Sequence, residues 1–194
     1  YAGVQLGADA DHPLAVLDRR GCSPHNVSTA RFVELARAAH DHGVGLLLTL
    51  NAQQIPPGVR GQIMHLLESA CASPGFRGVI VGSPQLIAEV RASFPHLTIV
   101  GSIVLNVFNA HSARLYRDMG VSTLVVDRQL RVDEVASIAR AVPDVGLEAI
   151  LFHDYCGNID GACHMLHDSQ LGDDLETGCM GSFVGFHAGT APQR

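Results

Sequence analysis

Apolar positions recur in short runs separated by amphipathic stretches, and the cycle repeats along most of the chain. Residues 2–7 read as a short strand, and the polar stretch 8–28, rich in Asp, Pro and Gly, as a long loop. Ser28 or Thr29 then caps a helix running to about His42, with Phe32, Val33, Leu35, Ala36 and Ala39 on its apolar side and Gly43 at its end. Residues 45–50 form a nearly all-apolar strand. Pro56 and Pro57 open the next helix, whose apolar face is Ile63, Leu66, Leu67, Ala70 and Cys71. Strands are predicted at 78–81, 97–101, 122–126 and 147–152, with helices at 84–93, 110–119 and 132–141 between them. The pattern stops after residue 152, and residues 156–179 are dense in Gly, Asp, His and Cys.

Strands that are apolar on both faces and alternate with helices argue for a parallel sheet in an α/β fold. The choice lies between a doubly wound open sheet and a (β/α)8 TIM-type barrel. No Gly-rich phosphate loop follows the first strand, and polar residues cluster just past several strands: Asn51, Ser83, Ser102 with Asn106, Asp127 with Arg128, and His153. Several strands donating polar residues at one rim favours the barrel, incomplete in this chain. The domain is expected to cover 1–180, with a cysteine-rich loop at 153–180 and an unstructured or discontinuous tail at 181–194.

Composition narrows the chemistry. The chain has 194 residues, 47% of them hydrophobic and 16% charged, which is the profile of a globular domain. All 13 cations are Arg, so chemistry that needs a lysine of this chain is excluded. A net charge of -6 makes sequence-blind nucleic-acid binding an unexpected role. No apolar run approaches the ~20 residues of a membrane span, and a cytoplasmic location is expected.

Five cysteines divide unevenly. Cys156, Cys163 and Cys179 have the spacing C-x6-C-x15-C in a loop containing four glycines. Such a loop permits the wrapping a metal centre demands. Cys22, in the long loop after the first strand, is the natural fourth thiolate. Cys71 falls four positions after Leu67 on a helix, where a core thiol belongs. Zinc sites usually pair ligands as C-x2-4-C, so the spacing favours iron–sulfur. A mixed Cys/His zinc site using His153, His164 or His167 is the alternative.

These residues carry a resemblance. Thr49-Leu50-Asn51, Leu105-Asn106-Val107-Phe108-Asn109-Ala110, the run from Val145 to Cys156, and Asp160-Gly161-Ala162-Cys163 resemble motifs of the peptidase U32 family of (β/α)8 barrels. The H-x2-C-x6-C core is the most specific part, and Ala162 stands where the family often has arginine. Within the family, the chain is most similar to the iron–sulfur branch that includes the paired proteins of oxygen-independent ubiquinone hydroxylation, whose relatives hydroxylate tRNA or ribosomal RNA. The resemblance implies a [4Fe-4S] cluster held by Cys22, Cys156, Cys163 and Cys179, because one member of the ubiquinone pair takes a ligand from an early "CS" loop like Cys22-Ser23.

The function expected on that basis is a cluster-dependent oxidoreductase, an oxygen-independent hydroxylase of a small, conceivably aromatic metabolite, with an electron donor the sequence does not name. A second U32-family subunit is an expected partner, and a non-catalytic partner role is the alternative. A peptidase has the weaker case, since neither G-x-S-x-G nor H-E-x-x-H occurs. Four residues are candidates for substrate handling. His153 is an acid, a base or a hydrogen-bond donor to a cluster sulfur, or a structural histidine. Asn51 and Asn106 bind substrate oxygens or cap their own turns. Arg128 pairs a substrate carboxylate, or its neighbour Asp127.

Overall fold

The computed structural model describes residues 2–4, 26–53, 55, 57–152, 159, 160 and 162. Among them, seven strands form one fully parallel sheet: β1 (Ala2–Val4), β2 (Asn26–Val27), β3 (Leu46–Leu50), β4 (Phe76–Val81), β5 (Thr98–Gly101), β6 (Thr123–Val125) and β7 (Gly146–Glu148). The order is β2-β1-β3-β4-β5-β6-β7. The helices are α1 (Thr29–Asp41), α2 (Pro57–Cys71), α3 (Pro84–Ser93), α4 (Ala110–Asp118) and α5 (Val132–Ala141), and a 3-10 turn (Ile103–Leu105) follows β5.

Local chemistry sets the helix ends. The Ser28 hydroxyl accepts the Arg31 N–H at 3.2 Å and starts α1. Gly43, at φ 69°, reverses the chain after α1 while the Gly43 and Val44 N–H groups donate to the carbonyls of His40 and Ala39. Pro84 opens α3, and Glu134 accepts the Arg131 N–H at 2.8 Å to open α5.

Strand alternation sorts the apolar residues into two faces. Leu48, Val79 and Ile99 are register partners, as are Leu50, Val81, Gly101, Leu124 and Leu147. These rows share one core with Phe32 of α1, Ile63 and Leu67 of α2, Ile87 of α3, Ala113 of α4 and Ile138 of α5. Burying each such large side chain contributes about 1.5–3 kcal/mol. The intervening row, Thr49, Ile80, Val100 and Thr123, points the other way. Val100 and Val125 are buried but lie outside the helix-side core.

Each helix carries the chain in the same direction across the sheet, from β2 past β1 to β3 and then strand by strand to β7. Right-handed crossovers advancing one way put their helices on one face, which matches the single core. The sheet is therefore singly wound in its helical part. The reversed step, β1 to β2, runs through residues 5–25, outside the described set.

Three sequence expectations need correction. The polar stretch 8–28 is not loop throughout, because Asn26–Val27 pairs with Gly3–Val4 as an edge strand. The last strand ends at Glu148 rather than at residue 152. Leu151 and Phe152 are 92% and 100% exposed, so the apolar run there meets no core. Cys71 is half-buried against the core rather than fully inside it.

Two substitutions test the helix-side packing. A Cβ on Gly75 would stand 1.9 Å from the Ala36 carbonyl oxygen of α1. Gly75→Ala is expected to lose about 2–3 kcal/mol of stability, against about 1 kcal/mol for Cys71→Ala, in urea unfolding of the two variants. Equal losses would show that α1 does not seat on the turn before β4.

Candidate functional site

Three of the expected site residues come to one edge of the sheet. Asn51 follows β3, Asn106 follows the 3-10 turn after β5, and Arg128 lies shortly after β6, all past the C-terminal ends of parallel strands. That edge is where α/β proteins of either winding gather their chemistry. The loops there are knitted together. The Gly82 N–H donates to the Leu50 carbonyl, the Ser102 N–H to the Val81 carbonyl, and the Gln53 amide to the Val104 carbonyl at 3.2 Å. A side chain on Gly82 would meet the Asn51 carbonyl oxygen at 2.3 Å, so the β3 and β4 ends approach closely enough to need glycine.

Asn106 is held in the left-handed region, φ 56° and ψ 55°, where asparagine is among the few tolerated residues. The Tyr116 hydroxyl donates to the Leu105 carbonyl at 3.1 Å and fixes the turn from below. Burial raises the Tyr116 pKa, which keeps that hydroxyl protonated as a donor. The capping role belongs to Asn109, whose side-chain oxygen accepts from the His111 and Ser112 N–H groups and starts α4. The Asn106 side-chain oxygen is buried and has no hydrogen-bond partner.

Asp127 is 2% exposed. Its Oδ1 accepts the Gln129 N–H at 2.8 Å, forming an Asx turn, while its Oδ2 is buried without a partner. Thr49 is likewise 2% exposed, and its hydroxyl is unpartnered on the face turned away from the helix-side core. Buried polar atoms are nearly always satisfied. Among the described residues four side-chain atoms are not; one is Arg91 Nε on α3, and the other three lie at or near this edge and call for a reason. A hydroxyl, an amide oxygen and a carboxylate oxygen at these strands' ends are set to receive donors from a bound molecule. Sequence reading used Asp127 only as a partner for Arg128 and passed over Thr49. Its position as the one polar residue of Leu46–Leu50 was the available signal.

Arg128 pairs with Asp160 rather than with its neighbour Asp127. Its Nε and Nη2 donate to Asp160 Oδ2 at 2.7 and 2.6 Å, with the two side chains only 19% and 23% exposed. A cleft of about 260 Å³ beside the β3 and β4 ends includes Gln53, Ile55, Ser83 and Gln85, with Arg60 and Glu89 already paired to each other at 2.6 Å.

Cys22, Cys156, Cys163, Cys179 and His153 lie outside the described residues. Asn26, four residues after Cys22, opens β2 at the register level of Gly3 and Thr49. Asp160, between Cys156 and Cys163, sits against Arg128. Among the described residues no group of three or more His, Cys, Asp or Glu side chains is arranged to hold a metal ion. Cys71 is half-buried and desolvation raises its thiol pKa, the wrong direction for a nucleophile or a ligand.

The left-handed turn gives a test of Asn106. Asn106→Gly is expected to keep stability within about 0.5 kcal/mol, whereas Asn106→Val loses about 1–2 kcal/mol, because a β-branched side chain opposes a positive φ more strongly than asparagine and glycine does not oppose it. Thermal unfolding of both variants checks this, and equal effects would contradict the turn geometry.

Residues 16–179 match the family described as peptidase family U32. Over 85 residues the chain is 33% identical to tRNA hydroxylation protein P of Haemophilus influenzae, covering 44% of this chain and 18% of that protein. The protein of the same name from Escherichia coli is 29% identical over 85 residues, covering 44% of this chain and 19% of its own length. The alignments thus span about a fifth of these relatives. A solved structure, that of the U32 peptidase Mk0906, superposes with a TM-score of 0.58 at 21% identity, over 69% of this chain and 57% of that one, which is a likeness of fold. The family match covers most of the chain, and the chain belongs to peptidase family U32.

Proposed function

We propose that this chain works in hydroxylation as an iron–sulfur protein of the U32 family, its cluster held by Cys22, Cys156, Cys163 and Cys179. The observation that carries the reading is the similarity to proteins named for tRNA hydroxylation. Those names favour tRNA as the substrate class. A small metabolite is the second reading, supported by the net charge of -6 and the absence of lysine. A second U32 subunit fits either reading. The singly wound sheet and the fold likeness support membership in a (β/α)8-type barrel, with the site at its C-terminal mouth.

Four thiolates are the donor set a [4Fe-4S] cluster takes. The Cys156–Cys163 interval contains Asp160, which is held by Arg128 just past β6, and that supports a site at the C-terminal edge. Bound there, such a cluster supplies one-electron chemistry. The rest of the work falls to the chain's own groups. Asp127 Oδ2 and the Asn106 side-chain oxygen accept hydrogen bonds and orient a substrate. Asn51, half-buried beside Gly82, borders the same mouth. His153 is placed by the sequence at the start of the cysteine segment, where it would move a proton or donate to a sulfur. Among the described residues no helix is long and apolar enough to cross a membrane. The peptidase alternative gains nothing from Cys71, whose raised pKa works against a thiolate.

Iron and sulfide counting on anaerobically reconstituted full-length protein tests the cofactor. Each of Cys22→Ala, Cys156→Ala, Cys163→Ala and Cys179→Ala is expected to lose the cluster, while Cys71→Ala keeps it. A normal cluster in Cys22→Ala would move the fourth ligand to His153, His164 or His167. Incubation with tRNA and with small aromatic acids, followed by mass spectrometry, separates the two substrate classes.

A further inference from the structure

We propose that the Arg128–Asp160 ion pair is a positioning device that anchors the cysteine segment to the end of β6, an inference that rests on the cofactor reading above. Beyond Glu148 no described residue belongs to a helix or strand, so the ladder stops holding the chain there. Asp160 nevertheless has a defined place. Two N–H groups of Arg128 converge on one of its carboxylate oxygens across 32 positions of sequence. The adjoining Ala162 N–H donates to the Ile159 carbonyl at 3.2 Å, closing a turn around the anchored residue.

The pair differs from the local ion pairs among the described residues. Arg31–Glu34, Arg117–Asp118 and Arg131–Asp133 are close in sequence and have at least one partner about two-thirds exposed. Exposed local pairs contribute little. Among the described residues only Arg60–Glu89, which joins α2 to α3, is comparably long-range, and Arg128 and Asp160, at 19% and 23% exposed, are more buried than that pair. A partly desolvated, charge-assisted contact of this kind is stronger and directional.

Its place in the sequence supplies the purpose. Asp160 lies four residues after Cys156 and three before Cys163. At ~3.6 Å per residue the chain can carry those cysteines no farther than about 14 and 11 Å from the anchor. Arg128 is in turn next to Asp127, whose Oδ2 is buried without a partner. The pair thereby bounds the distance between the thiolates and the polar groups at the β6 end.

The test uses full-length protein, purified anaerobically, in four forms: wild type, Arg128→Gln, Asp160→Asn, and the exchanged double variant Arg128→Asp with Asp160→Arg. Two quantities are read: iron release to a chelator, and amide hydrogen exchange of peptides covering residues 153–165, with α4 and α5 peptides as the control for intact folding. Both single variants are expected to release iron and to exchange that segment about tenfold faster than wild type, as loss of a charge-assisted contact implies, and the double variant to recover much of both. Single variants that match wild type in both readings overturn the anchor. A wild type that takes up no iron, while the single variants still exchange faster, overturns the cofactor reading and leaves a loop tether with no cluster to position. Faster exchange in α4 and α5 as well would assign the pair to general stability and overturn it as a positioning device.

Discussion

The site depends first on register. Leu50, Val81, Gly101, Leu124 and Leu147 lie in one row across β3 to β7, so the strands finish at nearly the same level. That row is fixed because shifting any strand by one residue would turn its core-facing side chains to the other face. Leu48 and Leu50 would leave the helix-side core, and Thr49 would enter it. Helix packing on one face thus determines, residue by residue, which polar groups reach the edge on the other. Gly78 and Gly82 make the same constraint tighter, since a Cβ on either would collide with backbone oxygen of a neighbouring strand or loop.

The edge so produced is not relaxed. Thr49, Asn106 and Asp127 each keep a buried oxygen without a partner, and such atoms cost about 1–3 kcal/mol apiece. Asn106 adds the cost of a left-handed backbone. Elsewhere the molecule satisfies its turns economically: Ser28, Asn109 and Glu134 close helix starts with short contacts. Apart from Arg91 Nε on α3, the unsatisfied side-chain atoms among the described residues lie at or near strand ends, which is what a binding surface requires, because a ligand recovers the missing hydrogen bonds.

Periodicity made the helices easy to find. Residues 84–93 and 132–141 match α3 and α5 at both ends, because Pro84 and the Glu134 contact mark the starts and the apolar stripe marks the lengths. The order of strands followed from parallel alternation. What the sequence hid was long-range. Asn26–Val27 is too short to show a period and becomes a strand only by pairing with β1. The overlong reading of β7 counted Leu151 and Phe152 as core residues, although nothing described covers them. Arg128 had a carboxylate beside it in sequence and took one 32 positions away, while Asp127 turned its Oδ1 onto the Gln129 N–H of its own turn. Asn106 was legible as a site residue by its place after a strand, but its left-handed backbone was not.

The relation between fold and activity is looser than the family match alone implies. A fold hosts many chemistries, and the site grafted on it decides among them. Here the shared part is the frame: a U32 structure at 21% identity has a like fold over 69% of this chain. The alignments to the hydroxylation proteins cover about a fifth of those proteins, so their substrate contacts need not lie in the aligned part. In the proposed reading, the cysteine segment links frame and chemistry. Fixing one residue of any chain costs about 1–2 kcal/mol. Ligation of a cluster would have to offset that cost for each residue it orders. A pre-formed contact from Arg128 to Asp160 reduces it by fixing one point of the segment before any ligand arrives. On this view the frame contributes more than a platform: it orders part of the loop that the chemistry needs.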